Sequence, residues 1–283
     1  MLYLPCDTLD TYFHLALEEV LLASETHEEL LLLWRSRSAV ICGRYQNIYA
    51  EADVLAAKAA GVSVARRLTG GGTVYHDEGN LNYTILADYD GEGAQYERFL
   101  MPVVRTLRQL GVPAETGRVC DITVEGKKIS GSAQKVSNGR VLHHGTLLLS
   151  SDLTALRRIA NGARAEYDSK GVASSPWPVT NLNTYLPGMT MEDFRAAMLT
   201  GLTAGKDVET RPLPEQVRQA AEDLAKTKYR SWDWIYGMNP EYVLNRNGMT
   251  LRCRHGVITE LDAAPELIGQ RLDPASPIDA IYF

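Results

Sequence analysis

The chain has 283 residues, 45% of them apolar and 23% charged, with 29 Lys and Arg against 35 Asp and Glu for a formal charge of -6. That length buries a large core, in one big domain or in a main domain with an appendage, and the acidic balance argues against nucleic acid as a partner while leaving room for a local basic pocket. The cysteines Cys6, Cys42, Cys120 and Cys253 are far apart with no CxxC pair, which suggests neither a zinc ribbon nor a disulfide framework and makes a reducing cytoplasm the expected compartment. No run approaches the ~20 apolar residues that span a membrane, and MLYLPCDTLDTYF has neither the basic nor the apolar region of a signal peptide.

In chain order, Asp10-Thr11 caps a predicted amphipathic helix over 12–22, with Phe13, Ala16, Leu17, Val20 and Leu21 on its apolar face and Glu18 and Glu19 outside. Leu30–Trp34 and Ala39–Cys42 are predicted strands. The turn Gly43-Arg44-Tyr45-Gln46-Asn47 offers polar donors at a strand end or is a plain turn. An alanine-rich helix is expected over 51–60, stopped by Gly61. A strand over 62–65 then delivers Arg66 and Arg67 to three glycines, Gly70, Gly71 and Gly72. Such a loop can bring backbone N–H groups close to phosphate oxygens or be a hairpin turn. On a strand the two arginines point to opposite faces, so one is expected to face the loop's ligand and the other to be solvated or paired.

Strands follow at 73–76 and 81–87, then a helix over 96–110. A strand over 121–124 turns at Glu125-Gly126 into Lys127 to Ala133, and another runs from Gly145 to Leu149. Further on come helices over 191–202 and 214–226, a hairpin over 248–261 and a helix over 264–272. Many short strands between helices predict an α+β protein with mixed or antiparallel sheets flanked by helices.

Several chemistries fail by direct count. GxGxxG ends at Tyr75, GxxxxGK[ST] would need a glycine where Asp121 stands, HExxH meets Leu31, and Ser132 has no GxSxG around it. What remains is a basic, glycine-lined set: Arg67, Gly70 to Gly72, and Lys127 or Lys128. A reaction in which a carboxylate attacks the α-phosphate of ATP must bring two anions together, and a lysine between them screens that charge. His76, His143 and His144 are candidate assistants or structural hydrogen bonders.

Taken together, RRLTGGGTVYHDEGN (66–80), KISGSA (128–133) and HHGTLL (143–148), supported by GRYQN (43–47) and PVTNL (178–182), resemble the signature stretches of the lipoate–protein ligase A family over roughly residues 10 to 200. The resemblance implies the biotin/lipoate ligase fold, which is class II synthetase-like, in a cytoplasmic enzyme. It implies activation of (R)-lipoate by ATP and Mg²⁺ to lipoyl-AMP, and transfer to a lysine of a lipoyl domain in a 2-oxoacid dehydrogenase E2 or in glycine-cleavage H protein. By position, Arg67 would hold nucleotide phosphates. Gly70, Gly71, Gly72, Thr73, Val74 and Tyr75 would form the loop lining ATP and the acyl-adenylate. Lys128 would be the catalytic lysine, and His76, His144, Gly145 and Thr146 would lie near the pocket. The stretch GRVCD (117–121) lacks an expected Asn and leaves Asp121 as the Mg²⁺ ligand. A catalytic domain over 1–228 and a short accessory domain over 229–283 are expected. Related enzymes transfer acyl groups through a cysteine thioester, so Cys120 or Cys42 as nucleophile is one alternative; a lipoate-binding protein without turnover is another.

Overall fold

A computed structural model describes residues 1–118, 120–162, 164–246 and 248–274. The elements in chain order are β1 (Leu2–Tyr3), α1 (Thr11–Ala23), β2 (Leu30–Trp34), β3 (Ala39–Cys42), α2 (Ile48–Glu51), α3 (Val54–Ala59), β4 (Ser63–Arg66), β5 (Val74–His76), β6 (Asn80–Asp88) and α4 (Tyr96–Gln109). There follow β7 (Glu115–Thr116), β8 (Asp121–Val124), β9 (Lys127–Ser137), β10 (Arg140–Leu148), α5 (Leu153–Ile159), β11 (Tyr167–Ser169), α6 (Met191–Leu202), β12 (Glu209–Thr210), α7 (Glu215–Leu224), α8 (Trp232–Ile235), β13 (Tyr242–Arg246), β14 (Met249–Arg254) and β15 (Val257–Leu261). The architecture is α+β, as the interleaving predicts, and no helix among the described residues is long and apolar enough to cross a membrane.

Packing divides the chain into two units, each discontinuous in sequence. The first unit comprises 1–37, 76–153 and 176–222 and holds a mixed sheet in the order β12-β1-β2-β6-β10-β9-β8-β7. Its two faces differ because strand side chains alternate. Leu31, Leu33, Leu81, Tyr83, Ile85, Val141 and Leu147 enter one apolar core with Phe99, Val103 and Leu107 of α4 and Phe194 and Met198 of α6. The other face carries Trp34, Asn82, Thr84, His144 and Thr146, which lie opposite one another in the β2–β6–β10 register. Helix α1 lies on this polar side, its N-terminus capped by Asp10, whose carboxylate accepts from Tyr12 N at 3.0 Å.

The second unit comprises 38–75 and 154–175 together with the described residues from 223 onward. It holds a sheet in the order β4-β3-β5 and another in the order β11-β13-β14-β15.

Four local expectations change. The helix expected over 51–60 is two helices, because Asn47 and Asp53 each cap one: Asn47 Oδ1 accepts from Tyr49 N and Asp53 Oδ1 from Ala56 N, with extended Ala52 between. The helix expected over 264–272 is a single 3-10 turn, Pro265–Leu267. Beyond it Gly269 and Gln270 exchange backbone hydrogen bonds with Ile258, so pairing with β15 outcompetes helix propensity. Strand β10 starts at Arg140 rather than at Gly145, because its partner β6 extends that far. Glu18, expected outside α1, is buried, because the sheet face beneath it is polar.

Candidate active site

In the first unit, a β-bulge decides where Lys128 points. Ile122 pairs with Ser130 but Thr123 pairs with Lys128, so Ile129 is an extra residue. The bulge turns Ile129 and Ser130 together toward the apolar side and re-aims Lys128 to the side of Gly131. There Nζ of Lys128 lies 2.6 Å from Oδ1 of Asp121 on β8, with the lysine side chain 28% exposed. A Cβ built on Gly131 would fall 2.7 Å from that Nζ, so glycine makes the space in which the amine sits. The main chain of Lys128 is tied down as well: its N–H donates to Pro178 O and its carbonyl accepts from Thr180 N, which gives the Pro178–Leu182 stretch a task.

On the adjoining strand, Thr146 Oγ1 accepts from Gly131 N at 3.1 Å. His144, two residues before it and on the same face, has Nδ1 2.9 and 3.0 Å from the two carboxylate oxygens of Glu18. Gly145 faces the other way, where a Cβ would meet the buried ring of Tyr83 at 2.5 Å. His143 also faces the apolar side, between Tyr83, Gln134 and Phe99, and burial holds it neutral by lowering its pKa to about 3. His76 ends β5, buried edge-to-face against Trp34. Lys128, Asp121, His144 and Thr146 are thus brought to one face of one sheet.

In the second unit, both arginines are buried. Arg66 is fully enclosed, donating to the carbonyls of Gly43, Arg44, Gln46 and Ile235 and to Asn239 Oδ1. It is buried from solvent and has no ion-pair partner among the described residues; it staples the 43–46 turn. Arg67 grips the glycine loop itself, donating to Gly70 O at 2.6 Å, Gly72 O at 2.7 Å, Ile41 O and Thr69 Oγ1. Of the three glycines, Gly71 has φ +88°, a left-handed backbone that glycine adopts without strain. Gly43 allows the closest approach: a Cβ there would sit 2.1 Å from Gly71 O.

Thr73 continues the loop, its N–H donating to Ser174 Oγ and its hydroxyl to Gln46 Oε1. Gln46 is fully buried, accepting also from Gly43 N and donating to Val172 O and Ser174 Oγ, so this turn braces the loop and does not offer the amide to a ligand. Ser174 Oγ in turn donates to Glu51, which also pairs with Arg164. Val74 and Tyr75 enter β5.

Burial sets the cysteines against nucleophilic work. It pushes the Cys42 thiol up to about 11 and raises Cys120, with the Asp121 charge adding to the effect. No group of three or more His, Cys, Asp or Glu among the described residues could hold a metal by itself.

Against this geometry, residues 10–203 match the lipoyl protein ligase A/B catalytic domain. The lipoate-protein ligase LplJ of Bacillus subtilis (strain 168) is 35% identical over 84% of this chain and 74% of its own length, and lipoate–protein ligase 1 of Staphylococcus aureus (strain Mu50 / ATCC 700699) is 37% identical over 84% and 73%. The chain belongs to the lipoyl protein ligase A/B family. It is an enzyme of the lipoate–protein ligase kind. Among solved structures, a bipartite lipoate protein ligase of Thermoplasma acidophilum, described with its E2 lipoyl domain, superposes with a TM-score of 0.72 at 27% identity, over 84% of this chain and 96% of that one. A lipoate-protein ligase A bound with ATP gives 0.72 at 27%, over 83% and 98%. A T. acidophilum ligase with bound lipoic acid gives 0.71 at 28%, over 83% and 98%.

Two residues of the polar face escape a sequence reading. Glu18 looks like a solvent-side helix position, and only the contact with His144 reveals it. Asn82 lies opposite Thr146, buried, with no hydrogen bond from its Nδ2 among the described residues. The alternation Asn80, Asn82, Thr84 along β6 is the signal that could have found it.

Proposed function

We propose that this ligase activates lipoate at the face carrying Lys128 and passes the lipoyl group to a lysine of a lipoyl domain. The lipoate carboxylate attacks the α-phosphorus of ATP, the bond to the bridging oxygen breaks, and pyrophosphate leaves with that electron pair. The acceptor lysine amine then attacks the acyl carbon of lipoyl-AMP, AMP departs, and the amine proton is lost. The observation that carries the reading is the partly exposed Lys128 Nζ, fixed by one carboxylate above a glycine whose N–H donates to Thr146. Its charge screens the approaching anions at the point where negative charge accumulates.

Arg67, Gly70, Gly71, Gly72, Thr73, Val74 and Tyr75 serve the nucleotide and the acyl-adenylate, with Arg67 acting by fixing the loop as well as by its charge. His76, His144, Gly145 and Thr146 complete the proposed binding residues, Gly145 through its main chain, since a Cβ there would meet the buried Tyr83 ring. Mg²⁺ binds with one or two carboxylates plus substrate phosphates and waters. Asp121, a single carboxylate beside Lys128, suits such an ion, which would neutralise phosphate charge when bound. The acceptors are lipoyl domains of 2-oxoacid dehydrogenase E2 subunits and glycine-cleavage H protein, and the compartment is the cytoplasm. Residues 1–228 carry the chemistry and 229–283 an accessory role in this reading, the sheet of β13, β14 and β15 being completed by β11 from the first part of the chain.

Lipoate-dependent ATP–pyrophosphate exchange tests the reading. Exchange is expected in the unsubstituted protein and in Cys120→Ser, and is abolished in Lys128→Ala; the reverse pattern would favour a cysteine thioester and overturn it.

A further inference from the structure

A directed hydrogen-bond chain runs beneath His144. Trp34 Nε1, which can only donate, gives its proton to Thr84 Oγ1 at 3.0 Å. With that lone pair occupied, the single hydroxyl proton of Thr84 goes to Glu18 Oε1 at 2.6 Å. Glu18 is therefore an acceptor toward Thr84, and its carboxylate also faces His144 Nδ1 with both oxygens, at 3.0 and 2.9 Å. With the carboxylate ionised, two acceptor oxygens about one ring nitrogen place the proton on that nitrogen. The carboxylate is buried on α1, and His144 and Thr84 are directly opposed across β10 and β6, so sheet register and helix docking together hold the geometry.

We propose that Glu18 is a positioning residue for the ligase reaction: it locks the proton of His144 on Nδ1 and so makes Nε2 the acceptor nitrogen of a ring that stands on the sheet face of Thr146 and Lys128. An imidazole held in one tautomer offers an acceptor at a set place, and losing the outer partner of such a histidine leaves the ring free to turn over. The activity part of this inference rests on the ligase reading above; the tautomer part does not.

Glu18→Gln makes the test specific. Thr84 still needs an acceptor, so the amide oxygen takes the Oε1 place, and the NH₂ group takes the nearer of the two places about Nδ1, where a donor favours an accepting Nδ1. The proton moves to Nε2. Ring ¹⁵N NMR of histidine-labelled protein, with His144 assigned by the signal lost in His144→Gln, is expected to show Nδ1 protonated in the unsubstituted chain and unprotonated in Glu18→Gln. Pyrophosphate exchange is expected to lose about tenfold or more in kcat, with KM for ATP and for lipoate changed less than about threefold. An unprotonated Nδ1 in the unsubstituted protein overturns the proposal without any variant. So does a tautomer switch that leaves kcat unchanged. Absence of exchange in the unsubstituted protein, with the Nδ1 proton responding to Glu18 as expected, would retain the link between the two residues and overturn the ligase reading.

Discussion

Nζ of Lys128 lies 2.6 Å from Oδ1 of Asp121, a carboxylate on the neighbouring strand of its own sheet. Asp121 thus keeps the amine in place. Asp121→Asn is expected to lower the exchange rate about tenfold, less than Lys128→Ala, which removes the charge itself and should cost at least about 100-fold. Because the lysine is partly exposed, thermal stability should move by less than about 1 kcal/mol. An exchange rate in Asp121→Asn close to that of the unsubstituted enzyme would show that the lysine needs no such partner.

Gly131 and Gly145 separate activity from stability. In Gly131→Ala the new Cβ meets the flexible end of Lys128, which can swing aside, so the fold should lose about 1 kcal/mol or less while exchange falls with the displaced amine. In Gly145→Ala it meets the buried Tyr83 ring, which has nowhere to go, and destabilisation of about 1–3 kcal/mol is expected. Urea denaturation and exchange kinetics on both variants check the contrast; equal stability loss in the two would contradict it.

Arg66 and Arg67 should fail differently. Arg66→Met leaves the carbonyls of Gly43, Arg44, Gln46 and Ile235 without their buried donor, and a loss of about 3 kcal/mol or more is expected in denaturation. Arg67→Lys keeps a charge, but one ammonium nitrogen cannot serve Gly70 O and Gly72 O while also replacing Nε on Thr69 Oγ1 and Nη1 on Ile41 O. Its expected signature is a KM for ATP raised about tenfold with the fold intact, together with faster proteolysis in the loop. An unchanged KM in Arg67→Lys would reduce this arginine to a structural part.

Acid should expose two neutral histidines. Burial lowers His143 to about 3 and His14 to about 4, against the ordinary 6.5. Between pH 6.5 and those values the unfolded chain binds protons that the folded protein refuses, so stability is present above pH 6.5 and is lost as pH falls toward 4 and then 3. Each group contributes a slope of up to about 1.4 kcal/mol per pH unit in its window. Denaturation at about pH 7, 5 and 4 should show this fall, and His143→Gln should flatten it; an equal slope in that variant would locate the acid sensitivity elsewhere.

Legibility in the sequence follows the range over which a signal acts. Asp10 as a cap, the glycine run, the apolar strands β2 and β3 and the lysine of KISGSA all follow from neighbours in the chain, because caps, left-handed turns and side-chain alternation are set within a few residues. The double cap at Asn47 and Asp53 is equally local, but the run of alanines after it masks the break. A helix over 264–272 does not form because strand pairing with β15 is a longer-range competitor that propensity does not see.

Membership of an α+β ligase family, the glycine loop and the lysine can all be read from the residues in order, since each is a short contiguous pattern. The direction in which those side chains face is set by packing between distant segments. Arg67 is turned onto the loop carbonyls and onto Ile41 O of β3. The bulge at Ile129 sends Lys128 to Asp121. Glu18, on paper a solvated helix residue, is buried against His144 and Thr84 because the strand face it covers is polar, and a buried carboxylate persists only where such donors meet it.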